Sequence, residues 1–206
     1  MKLVVLSDNH TNYDFETPGG DVLINCGDFT FHGNPNEMKK FKNYLKEQPH
    51  EHKLFIFGNH EKVDREIRYW IDYLEDGTGA KCIHEKAYGI ENINFFGSSY
   101  TPKFMNWGFM HDEETRERYW KNMIEGMDVL VTHGPPKGIM SKIEDGIDIG
   151  CEYLLDFVER VKPKYHFFGH NHAGAGVHTN GDTLFVNAAI LTEHYQMCKP
   201  PIVVNI

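Results

Sequence analysis

The 206-residue sequence has little of what several common classes of protein require. No apolar run approaches the ~20 residues that a membrane-spanning helix needs. Met1-Lys2-Leu3-Val4-Val5-Leu6-Ser7-Asp8 is too short and too soon acidic for a signal peptide. The four cysteines (Cys26, Cys82, Cys151 and Cys198) form no CxxC pair, so neither a disulfide framework nor a thiolate zinc site is indicated, and a reducing, cytoplasmic location is expected. Positive charge is scarce: 21 Lys plus Arg stand against 30 Asp plus Glu, a formal net charge of −9. A chain so acidic, without a basic stripe, is not built for a stable nucleic-acid complex. There is no Ser- or Gly-rich linker, low-complexity tract or tandem repeat. Residues 1–206 are therefore read as one domain.

What is present is enough for a packed core, with 40% hydrophobic and 13% aromatic residues. Short apolar runs alternate with helical patterns, the signature of an α/β fold. The runs cover residues 3–6, 22–25, 54–57, 93–96, 129–132, 165–168, 184–186 and 202–206. Most lack polar alternation, which predicts strands buried on both faces; the last two are open to an antiparallel or edge placement. One helix starts at Asn34-Pro35-Asn36-Glu37, with an N-cap, a proline at the first position and an acid in the first turn. A second carries Val63, Ile67, Ile71 and Leu74 and ends at Gly77, a third spans 112–124, and a fourth is stopped by Pro163.

Histidine, in contrast, is abundant: 13 residues. Five runs lead directly into groups able to hold a metal: Ser7-Asp8-Asn9-His10, Cys26-Gly27-Asp28, Gly58-Asn59-His60-Glu61, Thr132-His133-Gly134 and Gly169-His170-Asn171-His172. Ligands of α/β sheets bind outside the carboxyl ends of strands, so these five ends can converge on one crevice. Asp, Asn and His without Cys suit borderline-hard divalent ions such as Mn, Fe, Zn or Ni. The supply suffices for two ions sharing a carboxylate, a pair able to clamp a phosphoryl group. Hydrolysis of a phosphate ester is the chemistry this points to.

In order, Asp8-x-His10, Gly27-Asp28, Gly58-Asn59-His60-Glu61, His133 and Gly169-His170-x-His172 resemble the blocks of the calcineurin-like metallophosphoesterase superfamily. The longer strings Gly27-Asp28-Phe29-Thr30, Gly97-Ser98-Ser99-Tyr100-Thr101-Pro102, Thr132-His133-Gly134-Pro135-Pro136 and Pro200-Pro201-Ile202-Val203 resemble its UPF0046 (MPPED/239FB) phosphodiesterase subgroup. The resemblance implies a two-sheet β-sandwich flanked by helices (αββα), with a dimetal site at the strand C-terminal ends. It implies that Asp8, His10 and His172 hold one ion, that Asn59, His133 and His170 hold the other, and that Asp28 bridges them. His60 would face the substrate with Asn59, stabilising the transition state, while a hydroxide bridging the two ions attacks phosphorus in line. Manganese is the first expectation for the metal, with Fe, Zn, Ni, Mg or Co as alternatives. The substrate expected is a small phosphodiester, a cyclic nucleotide among them; the rivals are a phosphomonoesterase or protein phosphatase and a non-catalytic scaffold on the same fold. Thr30 stands where many relatives place Arg or Asp, as in the subgroup. His170 is kept where some animal members have Gly, so full occupancy is expected. The 136–151 region differs from the subgroup's, which leaves substrate choice open.

Other positions have plainer expectations. Glu61 and Asp64 are read as a solvated helix start in preference to carboxylates orienting His60. Lys137 is expected in solvent. His194 and Tyr195 follow the last strand end and are candidates to line the crevice. The run Tyr100-Thr101-Pro102-Lys103-Phe104-Met105-Asn106-Trp107-Gly108-Phe109 is read as a loop that covers the core or mediates a homodimer contact, with stacking on a substrate as the alternative.

Overall fold

The computed structural model describes residues 1–206 apart from residues 64 and 65, so Asp64 lies outside the described residues. Strand β1 (Lys2–Leu6) shows how the sandwich follows from side-chain alternation. Leu3 and Val5 point to the cluster between the sheets, whereas Val4 and Leu6 join the cluster under the helices. The apolar run without polar alternation thus buries both faces, as expected. Parallel to β1 lie β2 (Val22–Asn25), β3 (His52–Phe55) and β4 (Ala80–Cys82). Helices α1 (Pro35–Glu47) and α2 (Ile67–Glu75) cover this sheet through Met38, Phe41, Leu45, Trp70, Ile71 and Leu74.

The second sheet takes β5 (Ala87–Ile90) and β6 (Ile93–Ser98), then, after the two-residue strands β7 (Thr101–Pro102) and β8 (Met110–His111) and helix α3 (Glu113–Lys121), strand β9 (Val129–Thr132). Helix α4 (Glu152–Val161) leads to β10 (Tyr165–Phe168), β11 (Gly176–Thr179) and β12 (Leu184–Asn187). Strand β13 (Ile202–Asn205) returns to the first sheet as its antiparallel edge. Among the described residues the sheet orders are β13-β1-β2-β3-β4 and β11-β12-β10-β9-β6-β5. Trp120, Leu154, Phe157 and Val158 pack α3 and α4 on the outer face of the second sheet. The layers therefore run helix, sheet, sheet, helix. At the carboxyl end of β1 the sheets are joined directly: Ser7 N–H donates to the Ala188 carbonyl at 2.8 Å, and Ile190 N–H donates to that of Ser7 at 3.1 Å.

The expected α1 start is present, with Asn34 Oδ1 accepting from the amides of Asn36 and Glu37, each at 3.1 Å. Three boundaries differ. Strand β3 runs two residues earlier than 54–57, because Phe57 N–H turns to the Ser99 hydroxyl (3.0 Å) while polar His52 and Lys53 pair with β2. Val63 is buried beside Trp70 but lies outside α2, whose helical span begins at Ile67. Asp112 is the N-cap of α3, accepting from Thr115 N–H at 2.9 Å, and the helix stops at Lys121 instead of residue 124.

Candidate metal centre at the carboxyl ends of the strands

The extensions of β1, β2, β3, β9 and β10 carry the residues singled out in the sequence to one place. Ligand atoms of Asp8, His10 and His172 lie within 4.8 Å of one another, as do those of Asp28, His133 and His170, and those of His10, Asp28 and His60. Asp28 belongs to two of these groups: its Oδ2 is 3.3 Å from His133 Nε2 and 3.9 Å from His60 Nε2. Asn59 Oδ1 lies 3.0 Å from His133 Nε2. His60 approaches the carboxylate more closely than a purely substrate-facing side chain would, yet it also lines the open cleft.

The arrangement fits cations. Nδ1 of His10, His60, His133 and His172 lies 3.1, 2.8, 2.9 and 2.9 Å from the backbone carbonyls of Thr30, Phe31, Cys26 and Leu191. A carbonyl only accepts, so each Nδ1 carries a proton and each ring turns its Nε2 toward its neighbours. Among the described residues, buried Asp8 Oδ1 and His10 Nε2 have no hydrogen-bond partner, a costly state that a divalent ion would relieve. Burial lowers His10 and His170 to about 4. Burial opposes the charged form of His133 too, but the Asp28 carboxylate outweighs it and lifts the ring to about 9. For Asp28 itself, burial is overcome by His133, His60 and His10, which hold its carboxyl well below the usual range.

Local backbone geometry explains the motif residues. Asp8, His10, Asp28 and His170 have φ of 56°, 40°, 51° and 65°. All four values lie in the left-handed region that non-glycine residues seldom occupy. A methyl group at Gly58 would collide with Asp28 Oδ1, and one at Gly169 with Asp8 Oδ2 and Ser7 Oγ. The glycines beside these residues are thus required by the close approach of backbone to carboxylate.

Glu61 corrects the expectation of a solvated helix start: it is fully buried. Its Oε2 accepts from the amides of Asp28 (3.0 Å) and Gly58 (2.6 Å), and its Oε1 from the amide (2.9 Å) and hydroxyl (2.8 Å) of Thr30. It ties together the β2 and β3 extensions that present Asp28, Asn59 and His60. Burial and the nearby Asp28 carboxylate push its carboxyl up to about 8, opposed by the bonds from the Gly58 amide and the Thr30 hydroxyl and by the charge of His133. The sequence signal is its place directly after His60; only burial reveals the role.

Above these residues opens a cleft of about 270 Å³ lined by Asp28, Asn59, His60, His170 and His172, with Phe104, Trp107 and Met110 on one side and Glu193 and Tyr195 also at its margin. Tyr195 stands edge-on to His10, with ring centroids 4.9 Å apart. His194 is exposed and is not among the lining residues, because the turn formed by the Tyr195 N–H to Thr192 carbonyl bond (2.8 Å) presents its neighbour instead. Lys137 is exposed, as expected. The aromatic run divides: Phe104 and Trp107 reach the cleft, and Phe109 is buried in the core beneath the first sheet.

An αββα sandwich with carboxylates and imidazoles gathered at its strand ends defines a phosphoesterase-type protein, and comparison with known proteins supplies the family. The profile described as calcineurin-like phosphoesterase matches residues 1–174. The human Metallophosphoesterase domain-containing protein 1 is 36% identical over 230 residues, covering 100% of this chain and 71% of its own. A UPF0046 protein of Caenorhabditis elegans is 37% identical over 216 residues, covering 98% and 74%. Among solved structures, GAP50, the anchor in the inner membrane complex of Plasmodium, superposes with a TM-score of 0.58 at 11% identity, over 100% of this chain and 77% of its own. A novel archaeal phosphodiesterase does so with a TM-score of 0.50 at 15% identity, over 99% and 100%. The chain belongs to the calcineurin-like phosphoesterase family.

Proposed function

We propose that this chain is a metal-dependent phosphodiesterase acting on small phosphodiesters, cyclic nucleotides among them, with Mn²⁺ as the first candidate metal. The observation that carries this reading is the sharing of Asp28 between ligand groups at the foot of a cleft in which, among the described residues, no Lys or Arg is found. Two divalent ions held by Asp8, His10, Asp28, Asn59, His133, His170 and His172 would supply Lewis acidity toward the phosphoryl oxygens and activate water for in-line attack. A dianionic monoester or a polyphosphate would call for further cationic side chains, whereas a monoanionic diester is matched by the ions and one imidazole. The Phe31 carbonyl holds Nδ1–H of His60, so its Nε2 is the atom turned to substrate. In its protonated form that nitrogen donates to a phosphoryl oxygen or to the departing alkoxide. The fold shared with the archaeal phosphodiesterase is one on which such hydrolysis has been built. No described helix is long and apolar enough to cross a membrane, and all four thiols are free, which supports a cytoplasmic setting.

The test compares bis-p-nitrophenyl phosphate, p-nitrophenyl phosphate, and 2′,3′- and 3′,5′-cyclic nucleotides across divalent ions. Diesters should be the faster substrates. Asp28→Ala and His170→Ala should abolish turnover, while His60→Ala should retain metal by elemental analysis and lose about 10²–10⁴-fold in rate. An undiminished rate in Asp28→Ala would sink the assignment. Faster hydrolysis of the monoester would favour the phosphomonoesterase, and inert, metal-loaded protein the scaffold.

A further inference from the structure

His60 is held by contacts that fix some of its freedoms and leave one to a neighbour. Its backbone N–H donates to Asp28 Oδ1 at 2.8 Å, and its Nδ1–H to the Phe31 carbonyl at 2.8 Å. These anchor the main chain and one ring atom. They do not by themselves set the tilt of the imidazole plane, which decides where Nε2 points. Two rings meet that plane: His10, edge-on with centroids 4.6 Å apart, and Trp107, stacked at 4.3 Å with an interplanar angle of 29°.

Trp107 is itself secured. Gly108 N–H donates to the Asn59 carbonyl at 2.9 Å, linking the loop to the turn that presents Asn59 and His60. The Lys62 ammonium lies 4.0 Å from the centroid of the indole, in cation–π contact. Phe109 stacks on Phe57 at 5.3 Å, and Thr101 N–H donates to the Phe109 carbonyl at 2.9 Å. Between these anchors Met105 projects into solvent, 73% exposed, while Phe104, 64% exposed, stands at the margin of the cleft. Trp107 also lines a neighbouring groove of about 590 Å³ with Lys62, Trp70 and Gly108, so it forms a partition between that groove and the cleft.

We propose that Trp107 is a positioning residue, whose indole fixes the plane of His60 and keeps Nε2 aimed into the cleft. This rests on the reading of His60 as the group that acts on the substrate. Misplacing a reacting group by about 1 Å can cost as much as 10²-fold in rate, so loss of the stack should act on kcat and leave binding largely intact.

The experiment uses metal-loaded full-length protein with bis-p-nitrophenyl phosphate. Trp107→Leu should lower kcat about tenfold with KM changed less than about twofold, and Trp107→Phe, which keeps a stacking ring, should recover most of the loss. In a His60→Asn background, Trp107→Leu should have no further effect on kcat, because both changes remove one unit. A readout independent of turnover is the His60 ring-proton resonance, recorded in protein loaded with diamagnetic Zn²⁺ and identified by its loss in His60→Asn. The stacked indole shifts it upfield, and in Trp107→Leu it should move downfield. Additive losses in the double variant, failure of Phe to restore the rate, or an unmoved resonance would overturn the positioning role alone. A normal rate in His60→Asn would instead overturn the reading of His60 on which it rests.

Discussion

The Glu61 carboxylate takes two hydrogen bonds on each oxygen, so either orientation of a glutamine amide there would aim its NH₂ group at two donors. Glu61→Gln should therefore destabilise the protein by about 3 kcal/mol despite its similar shape, read by urea unfolding, and should weaken metal binding through displacement of Asp28. Wild-type stability in that variant would show that the four bonds are dispensable. A second prediction concerns His133, whose ring holds a proton up to about 9 beside Asp28. A ligating imidazole must lose it, so metal uptake near neutral pH should release a proton, and affinity should rise toward pH 9 by up to about tenfold per unit. Calorimetry in buffers of different ionisation enthalpy measures this; pH-independent affinity between 7 and 9 would contradict it. His10 and His170, lowered to about 4, are already neutral there and add nothing to the release. At this scale the sequence makes the identity of the clustered groups legible, since each follows an apolar run. It does not reveal the left-handed φ of Asp8 or His170, the carbonyls that set the imidazole tautomers, or the burial of Glu61. Those depend on which distant loops meet.

Among the elements, the segment joining β10 to β11 is hydrogen-bonded to the 136–151 region through Asn171. Asn171, between His170 and His172, donates from Nδ2 to the carbonyls of Met140 (2.7 Å) and Lys142 (3.0 Å), and its own carbonyl accepts from Asn187 Nδ2 at 2.8 Å. Asn171→Ala would strand two carbonyls and release the 136–151 region from the loop that carries His170 and His172. The expected result is faster amide exchange across residues 138–148 and a loss of about 1–3 kcal/mol, with activity reduced through His170 and His172. Unaltered exchange there would show that the pairing of Pro136 with Cys151 holds the region alone. Helix α1 is readable to its first residue because its cap chemistry is local, whereas β4, β5 and β11 leave no clear mark in the sequence. These strands are short, and β5 and β11 are largely exposed; neighbours supply the pairing that their own apolar content does not announce.

At the scale of the whole molecule, the layered order is legible as a class, because alternating runs and stripes leave few ways to bury both faces of two sheets. The joining of the sheets at Ser7 and Ala188 is not, since that pairing spans nearly the whole sequence. The same convergence makes stability depend on pH in both directions. Burial lowers His10, His84 and His170 to about 4 and His166 to about 3, so between 6.5 and those values the unfolded chain binds more protons than the folded one. Their contribution is complete above 6.5 and lost as pH falls. His133 has the opposite sign: raised from 6.5 to about 9, it stabilises the metal-free fold fully below 6.5 and loses that contribution as pH rises through 9. Metal-free protein should therefore melt highest near pH 6.5–7 and at lower temperature toward both 4 and 9. In metal-loaded protein the His133 proton would be displaced, so its share of the alkaline decline should disappear. That leaves the share of Glu61, whose raised carboxyl loses its contribution as pH rises through about 8. Scanning calorimetry across this range, with chelator and with excess metal, checks both halves. A midpoint that keeps rising from pH 7 to 9 in chelator would mean that the His133–Asp28 pair does not stabilise the fold in the way its geometry implies.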